Sequence, residues 1–322
     1  MNKTIPPNDP MALFSSSMNI PHIIASLEKR LYDSVKLRVQ NITLDTKKET
    51  DIAILFSGGL DCTILARLCH EILPINQPID LLNVAFESPR AGSNYEACPD
   101  RITGRASHAE LQRVCGPWRT WRFVAIDIAY RETLSHRPQI KRLMKPHHNT
   151  EMDLSIACAL YFAARGRGRL LSNDQQKYTT PARILLSGLG ADELFAGYSR
   201  HAVAFTRTGY SGLVNEINLD VGRLGKRNLG RDDRVLATWG REVRYPYLDE
   251  EFVAWVLGLP VWEKCFFEED DMMMNGKKAL RLVAVRLGMQ QVARERKRAI
   301  QFGARTAKME HGRGKKGTDI LD

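Results

Sequence analysis

Five residues, Ser57-Gly58-Gly59-Leu60-Asp61, separate an apolar run from an amphipathic helix, and that junction constrains the fold more than any other stretch. The run Ile52-Ala53-Ile54-Leu55-Phe56 reads as a strand buried on both faces, as in a parallel sheet. Leu60, Ile64, Leu65 and Leu68 then recur at helical spacing. Two glycines between such elements let backbone N–H groups approach an anion without Cβ obstruction. The helix N-terminus adds roughly half a positive charge and unpaired donors. Ser57 can donate a further hydrogen bond, and Asp61 is placed to hold a divalent cation against the anion. No Gly-Lys-Ser/Thr follows, so this is not a Walker A loop. The junction predicts ATP cut between its α and β phosphates, with pyrophosphate held in the loop. The bland alternative is an ordinary glycine-rich strand–helix turn.

Strands are predicted at 51–56, 79–86, 121–128 and 182–187, with helices near 19–39, 60–72, 104–115, 127–144 and 151–165. Strands alternating with helices imply an α/β fold: a parallel sheet with helices on both faces, binding its ligand beyond the carboxyl ends of the strands. From Glu193 onward the pattern reads as all-helical, with Leu280, Val283, Ala284 and Leu287 at i, i+3, i+4, i+7. Residues 88–103, with Pro89, Gly92 and Pro99, read as a long loop. The expected organisation is a disordered leader over 1–14, a domain over 15–310 and a basic disordered tail over 303–322. Within the domain, a nucleotide-binding core spans about 50–200 and a helical part about 200–302.

Composition narrows the class. Hydrophobic residues at 43% and charged residues at 26% suit a globular chain of 322 residues with a sizeable core. No stretch approaches the roughly 18 uncharged apolar residues of a membrane span, and no signal-peptide pattern opens the chain. Six cysteines without a CxxC pair read as buried, reduced thiols of a cytoplasmic protein. The formal charge is +10, and nine of the 23 residues from Arg294 to Lys316 are Lys or Arg. The total suits RNA or anionic nucleotide substrates alike, while its C-terminal concentration reads as a solvated tail rather than a nucleic-acid arm. His147 and His148 lack the partner spacing of a metal site.

A second junction repeats the logic of the first. In Leu185-Leu186-Ser187-Gly188-Leu189-Gly190-Ala191-Asp192-Glu193 a strand ends in a Ser-Gly-x-Gly turn and opens a helix carrying carboxylates. Asp192 can give a second carboxylate to the cation that Asp61 holds, although a carboxylate also suits a helix N-terminus electrostatically. Downstream stand Gly197-Tyr198 and the segment Glu242-Val243-Arg244-Tyr245-Pro246-Tyr247-Leu248-Asp249. In this order the three motifs resemble the synthetase domain of asparagine synthetases, over roughly residues 15–310. A eukaryotic branch of that family also shares Ala196–His201, Arg227–Arg234 and Lys297–Gly303.

The resemblance implies an adenine nucleotide alpha hydrolase-like fold and ATP-dependent activation of a side-chain carboxylate. Aspartate attacks the α-phosphorus, pyrophosphate leaves, and ammonia displaces AMP to form the amide. On that reading Ser57, Gly58, Gly59 and Asp61 hold pyrophosphate. Asp61 and Asp192 carry Mg2+, while Leu55, Val84, Ser187 and Gly188 line the adenosine pocket. Lys297 is the best match for the family's cationic lysine, with Asp61 and Asp192 beside it as catalytic groups. Its bland alternative is a basic helix end facing solvent. Arg244 and Asp249 are as well explained by helix packing as by substrate contact: Pro246 stops a helix and Asp249 caps the next.

Two departures limit the expectation. Only 56 residues precede Ser57 and position 2 is Asn2, so the chain as given is expected not to hydrolyse glutamine. It would take free ammonia, or rely on a glutaminase domain or partner, or be a piece of a longer protein. Leu189 stands where the family carries a glutamate, so ATP binding is expected to survive with aspartate amidation weak or absent. Its partners are then small molecules: ATP, an aspartate-type acid and ammonia. The competing readings are a tRNA-modifying enzyme using the same loop and an ATP-binding scaffold without catalysis.

Overall fold

The computed structural model describes residues 1–4, 20–40, 50–87, 94–145, 149–171, 173–267, 276–307 and 317–321. Seven strands are present among them: β1 (Ile52–Leu55), β2 (Ile79–Phe86), β3 (Trp121–Ile128), β4 (Arg167–Leu170), β5 (Asn173–Thr179), β6 (Ile184–Leu186) and β7 (Glu242–Arg244). They form one sheet in the order β5-β4-β3-β2-β1-β6-β7. Pairing is parallel from β3 through β7 in that order, with Ala53 opposite both Asp80 and Leu185. Every residue of β2 is buried, which is why the central strands read as unbroken apolar runs.

The expectation of a parallel α/β sheet therefore holds at the centre and needs two corrections at the edges. β4 and β5 form an antiparallel edge pair. Their residues are mostly polar because an edge pair leaves one face to solvent, so no apolar run announces them. β7, three residues long, lies in the stretch read as all-helical and extends the sheet beside β6.

Helices cover both faces. α1 (Ile20–Val39), α2 (Leu60–Ile72), α9 (Glu250–Gly258) and α11 (Lys278–Arg286) bury one core against Ile52, Ile54 and Ile184. In α1 the stripe is Ile24, Leu27, Leu31 and Val35, at spacings of three and four, while Leu37 faces outward at 73% exposure. α4 (Tyr130–Met144), α5 (Glu151–Arg165) and α8 (Gly230–Ala237) bury the other core against Ala53, Leu82 and Leu185. The remaining helices are α3 (Pro99–Cys115), α6 (Ala191–Leu194), α7 (Ser199–Leu224), α10 (Val261–Lys264) and α12 (Ile300–Gly303). α3 corrects the long loop over 88–103, because Pro99 starts a helix rather than ending a turn. Among the described residues no helix is long and apolar enough to cross a membrane.

The described residues at the two ends of the chain are held by hydrogen bonds to helix termini. Asn2 donates from its backbone to the carbonyl of Leu257 at 2.7 Å and from its side chain to Gly258 at 3.1 Å, satisfying carbonyls at the end of α9. Residues 317–321 do the converse at α5: the carbonyls of Asp319 and Gly317 accept the free N–H groups of Glu151 and Met152, each at 3.0 Å. His147 and His148, most of the leader and residues 308–316 lie outside the described residues.

Candidate active site

β1 and β6 are neighbours with β2 beyond β1, so the strand order reverses between them and their carboxyl ends flank a natural crevice. At the β1 tip Gly58 adopts φ +81, where a side chain would be strained, and its carbonyl accepts the Ser107 hydroxyl at 2.6 Å. Gly59 caps α2 and donates its N–H to the Ser57 hydroxyl at 3.3 Å. At the β6 tip the Ser187 hydroxyl accepts the Leu189 N–H at 3.3 Å. Gly190, at φ +103, packs against Leu248 in the turn Pro246–Leu248. Tyr247, in that same turn, donates its hydroxyl to the Asp61 carbonyl at 3.1 Å. The Arg-Tyr-Pro-Tyr-Leu-Asp segment thus braces both loops from behind.

Asp61 and Asp192 converge on one cation, the ammonium of Lys277. Its Nζ lies 2.8 and 2.7 Å from the two Asp61 carboxylate oxygens and 2.6 Å from Oδ1 of Asp192. Lys297 pairs with the other Asp192 oxygen. Lys277 is placed by an unusual backbone: φ +54, directly after Gly276 at φ +62, with its N–H donated to the Phe195 carbonyl at 2.7 Å. Gly197 makes room, since a Cβ there would stand 2.0 Å from Asp192 Oδ1 and 2.3 Å from Lys277 Cε. Burial works to raise the Asp192 carboxyl, but the ammoniums of Lys277 and Lys297 outweigh it and hold it well below the usual carboxylate range. Burial likewise opposes charge on Lys297, and Asp192 with Asp61 overcomes it and keeps that ammonium above its ordinary value.

The crevice encloses a cavity of about 430 Å³. Ser57, Gly59, Asp61 and Asp192 line it with Lys297, and Leu55, Val84, Ser187 and Gly188 form the wall at the strand tips. Gly58 turns away instead, its α-carbon packed toward the Gly104 backbone of α3. The sequence reading missed Lys277, since a lysine after a glycine carries no local signal of reaching a residue 216 positions earlier. Arg244 and Asp249 do not line the cavity. Asp249 accepts from Arg38 at 3.0 Å and caps α9 through the Phe252 N–H at 3.0 Å, while Arg244 donates to Glu242 and the Arg38 carbonyl.

The branch motifs build the far wall. Glu193, buried, accepts from the Tyr198 hydroxyl at 2.6 Å and from Asn228 at 2.8 Å. Asn228 sits on a π-turn, Gly225–Leu229, of the kind that re-aims side chains at functional sites. Arg231 is neutralised by Asp153 and Asp232, each at 2.8 Å. Leu189 faces this same cavity. Near the β2 tip, burial pushes the Asp100 carboxyl up to about 7, against the pull of Arg298 and Lys297. Among the described residues no cluster of three or more His, Cys, Asp or Glu side chains could hold a metal. Two carboxylates on one cation match what magnesium takes from a protein when phosphates supply further ligands.

The architecture is that of an α/β protein with a charged cleft at two adjoining strand tips. A profile of the asparagine synthase family matches residues 206–317. The chain is 42% identical over 298 residues to asparagine synthetase domain-containing protein 1 of Mus musculus, covering 81% of this chain and 47% of that protein. An asparagine synthetase domain-containing protein of Saccharomyces cerevisiae is 40% identical over 311 residues, 92% of this chain and 56% of its own length. One from Drosophila melanogaster is 36% identical over 310 residues, 89% of this chain and 52% of its length. The chain belongs to the asparagine synthetase family and spans about half the length of the curated relatives it matches.

Proposed function

We propose that this chain binds ATP with magnesium in the cleft, adenylates an aspartate-type carboxylate and supports its amidation by ammonia. The observation that carries this reading is the meeting of Asp61 and Asp192, from two different loops, on a single cation. Membership of a family of synthetase-like ligases supports it from the other side. An acceptor carboxylate oxygen bonds to the α-phosphorus as the bond to the bridging oxygen breaks and pyrophosphate departs. Ammonia nitrogen then bonds to the acyl carbon, the bond to AMP breaks, and the nitrogen loses one proton to solvent.

Ser57 and Gly59 would cradle pyrophosphate, with backbone N–H groups at the start of α2 as donors and Gly58 supplying the left-handed turn between them. Asp61 and Asp192 would hold magnesium, which neutralises phosphate charge when bound. Lys297, beside Asp192 and in the cavity wall, would stabilise charge developing on the departing phosphates. Leu55, Val84, Ser187 and Gly188 would receive adenosine. Nitrogen would come as free ammonia or from a glutaminase domain or partner. Six free, buried cysteines suit a cytoplasmic protein.

Leu189 in the cavity wall favours a second reading, in which nucleotide binds but aspartate is not amidated. A pyrophosphate-release screen across amino acids with ammonia present tests both. Release with one acid carries the ligase reading. Calorimetric binding of ATP–magnesium, lost in Asp61→Ala, without release from any acid would leave only the second.

A further inference from the structure

We propose that Lys277 is a resident counter-ion of the Asp61–Asp192 pair, so that a divalent cation enters this site only together with a polyphosphate. The inference rests on the ligase reading for its metal and nucleotide, and on the ion-pair geometry for its content. Lys277 Nζ contacts both oxygens of Asp61 and Oδ1 of Asp192, and Lys297 contacts the remaining Asp192 oxygen. Two carboxylates are thereby balanced by two ammoniums: Lys277 and Asp192 are buried at 3% and 9% exposure, and Asp61 and Lys297 open toward the cavity with side chains 18% and 33% exposed. A balanced quartet attracts a further cation weakly. A divalent ion bridging Asp61 and Asp192 must take the oxygens that Lys277 occupies.

The backbone limits how Lys277 can give way. Its left-handed φ, the preceding Gly276 and the N–H bond to Phe195 fix the main chain, so only the side chain can swing. A smaller cavity of about 50 Å³ adjoins the pair on the side of the glycine loop, its cations Arg281, Arg296, Lys297 and Arg298 set beside the carboxylates Asp61, Asp100 and Glu295. An ammonium moved there gives up its contact with Asp192 for a pocket whose other cations already outnumber its carboxylates, and a buried charge that loses its partner is costly. An anion in the glycine loop removes that cost. Metal entry and phosphate entry are therefore coupled through one side chain, each favouring the other to the same degree.

Manganese, followed by electron paramagnetic resonance of the free ion, is the probe, used on the full chain with and without a non-hydrolysable ATP analogue. In wild type, Mn2+ alone is expected to bind roughly 50-fold or more weakly than Mn2+ with the analogue. Lys277→Gln is expected to tighten Mn2+ binding in the absence of nucleotide by about 10-fold, and Lys277→Arg to leave it at the wild-type value. Adding Asp61→Asn to Lys277→Gln should abolish the gain. Wild type binding Mn2+ alone within about threefold of its affinity with the analogue overturns the proposal. So does a folded Lys277→Gln protein with unchanged Mn2+ affinity. Should Lys277→Gln fail to fold by circular dichroism, the wild-type ratio decides alone. An analogue that never binds counts against the ligase reading, while the comparison of wild type with Lys277→Gln in Mn2+ alone still decides this one.

Discussion

Gly188 and Asp61 meet where the two strand-tip loops touch: a Cβ on Gly188 would stand 3.0 Å from the Asp61 Cβ. The loops come this close only because one of them lacks a side chain there. Gly188→Val is expected to push Asp61 away from Asp192 and weaken binding of a magnesium–ATP analogue about 10-fold or more. The global melting temperature should move little, since the contact lies at the surface of a cavity rather than in a core. Calorimetry beside a thermal melt checks this; equal losses in both would mean the glycine serves the fold alone.

Gly58 carries a different burden. Its φ of +81 is combined with a backbone neighbour, since an added Cβ would lie 2.4 Å from the Gly104 nitrogen. Backbone on both sides cannot yield as a flexible side chain can. Gly58→Ala is expected to cost about 2–3 kcal/mol in urea unfolding, through strain at φ and displacement of α3. An unchanged midpoint would show that the loop relaxes freely.

The central strands and both glycine junctions were legible because each is a local pattern: an apolar run, a small-residue turn, a helical period. β2 from Ile79 to Phe86 and β3 from Trp121 to Ile128 coincide with their apolar runs. The edge pair β4–β5 was not legible, since Arg167-Gly168-Arg169-Leu170 carries only one apolar residue. Lys277 was hidden for another reason. Its role arises from a left-handed turn that brings it to both strand-tip loops, and sequence spacing holds no trace of that meeting. Asp100 likewise sat inside a presumed loop, and only the helix begun by Pro99 buries it.

Asp100 sets a pH dependence. Burial raises its folded-state pKa to about 7, above the value of about 4 expected when unfolded. A raised carboxyl favours the protonated folded state, so its contribution is fully present below about pH 4 and is lost as pH rises through about 7. Asp100→Asn keeps the shape without the charge. Its stability relative to wild type should therefore grow by about 2 kcal/mol between pH 5 and pH 8. Paired urea titrations at the two values check the sign, and a difference that shrinks with pH would contradict it.

Leu189 offers a gain-of-function experiment. The side chain faces the cavity from a turn held by the Ser187 hydroxyl, so a carboxylate there can project toward bound substrate. Leu189→Glu is expected to raise aspartate-dependent pyrophosphate release in the presence of ammonia about 10-fold over wild type. Unchanged release with intact nucleotide binding would place the determinant of acceptor choice elsewhere in the cavity wall.

Lys297 separates binding from chemistry. It pairs with Asp192, lines the cavity and lies 5.8 Å above the Tyr198 ring. A cation that acts mainly on charge developing during P–O cleavage lowers the barrier without much strengthening ground-state binding. Lys297→Met is therefore expected to slow pyrophosphate release about 100-fold or more and change affinity for an ATP analogue less than about fivefold. Single-turnover release and calorimetry on the same preparation measure both quantities. Loss of affinity with an unchanged saturated rate would instead make Lys297 a binding group, since an interaction felt equally before and during cleavage cannot accelerate it.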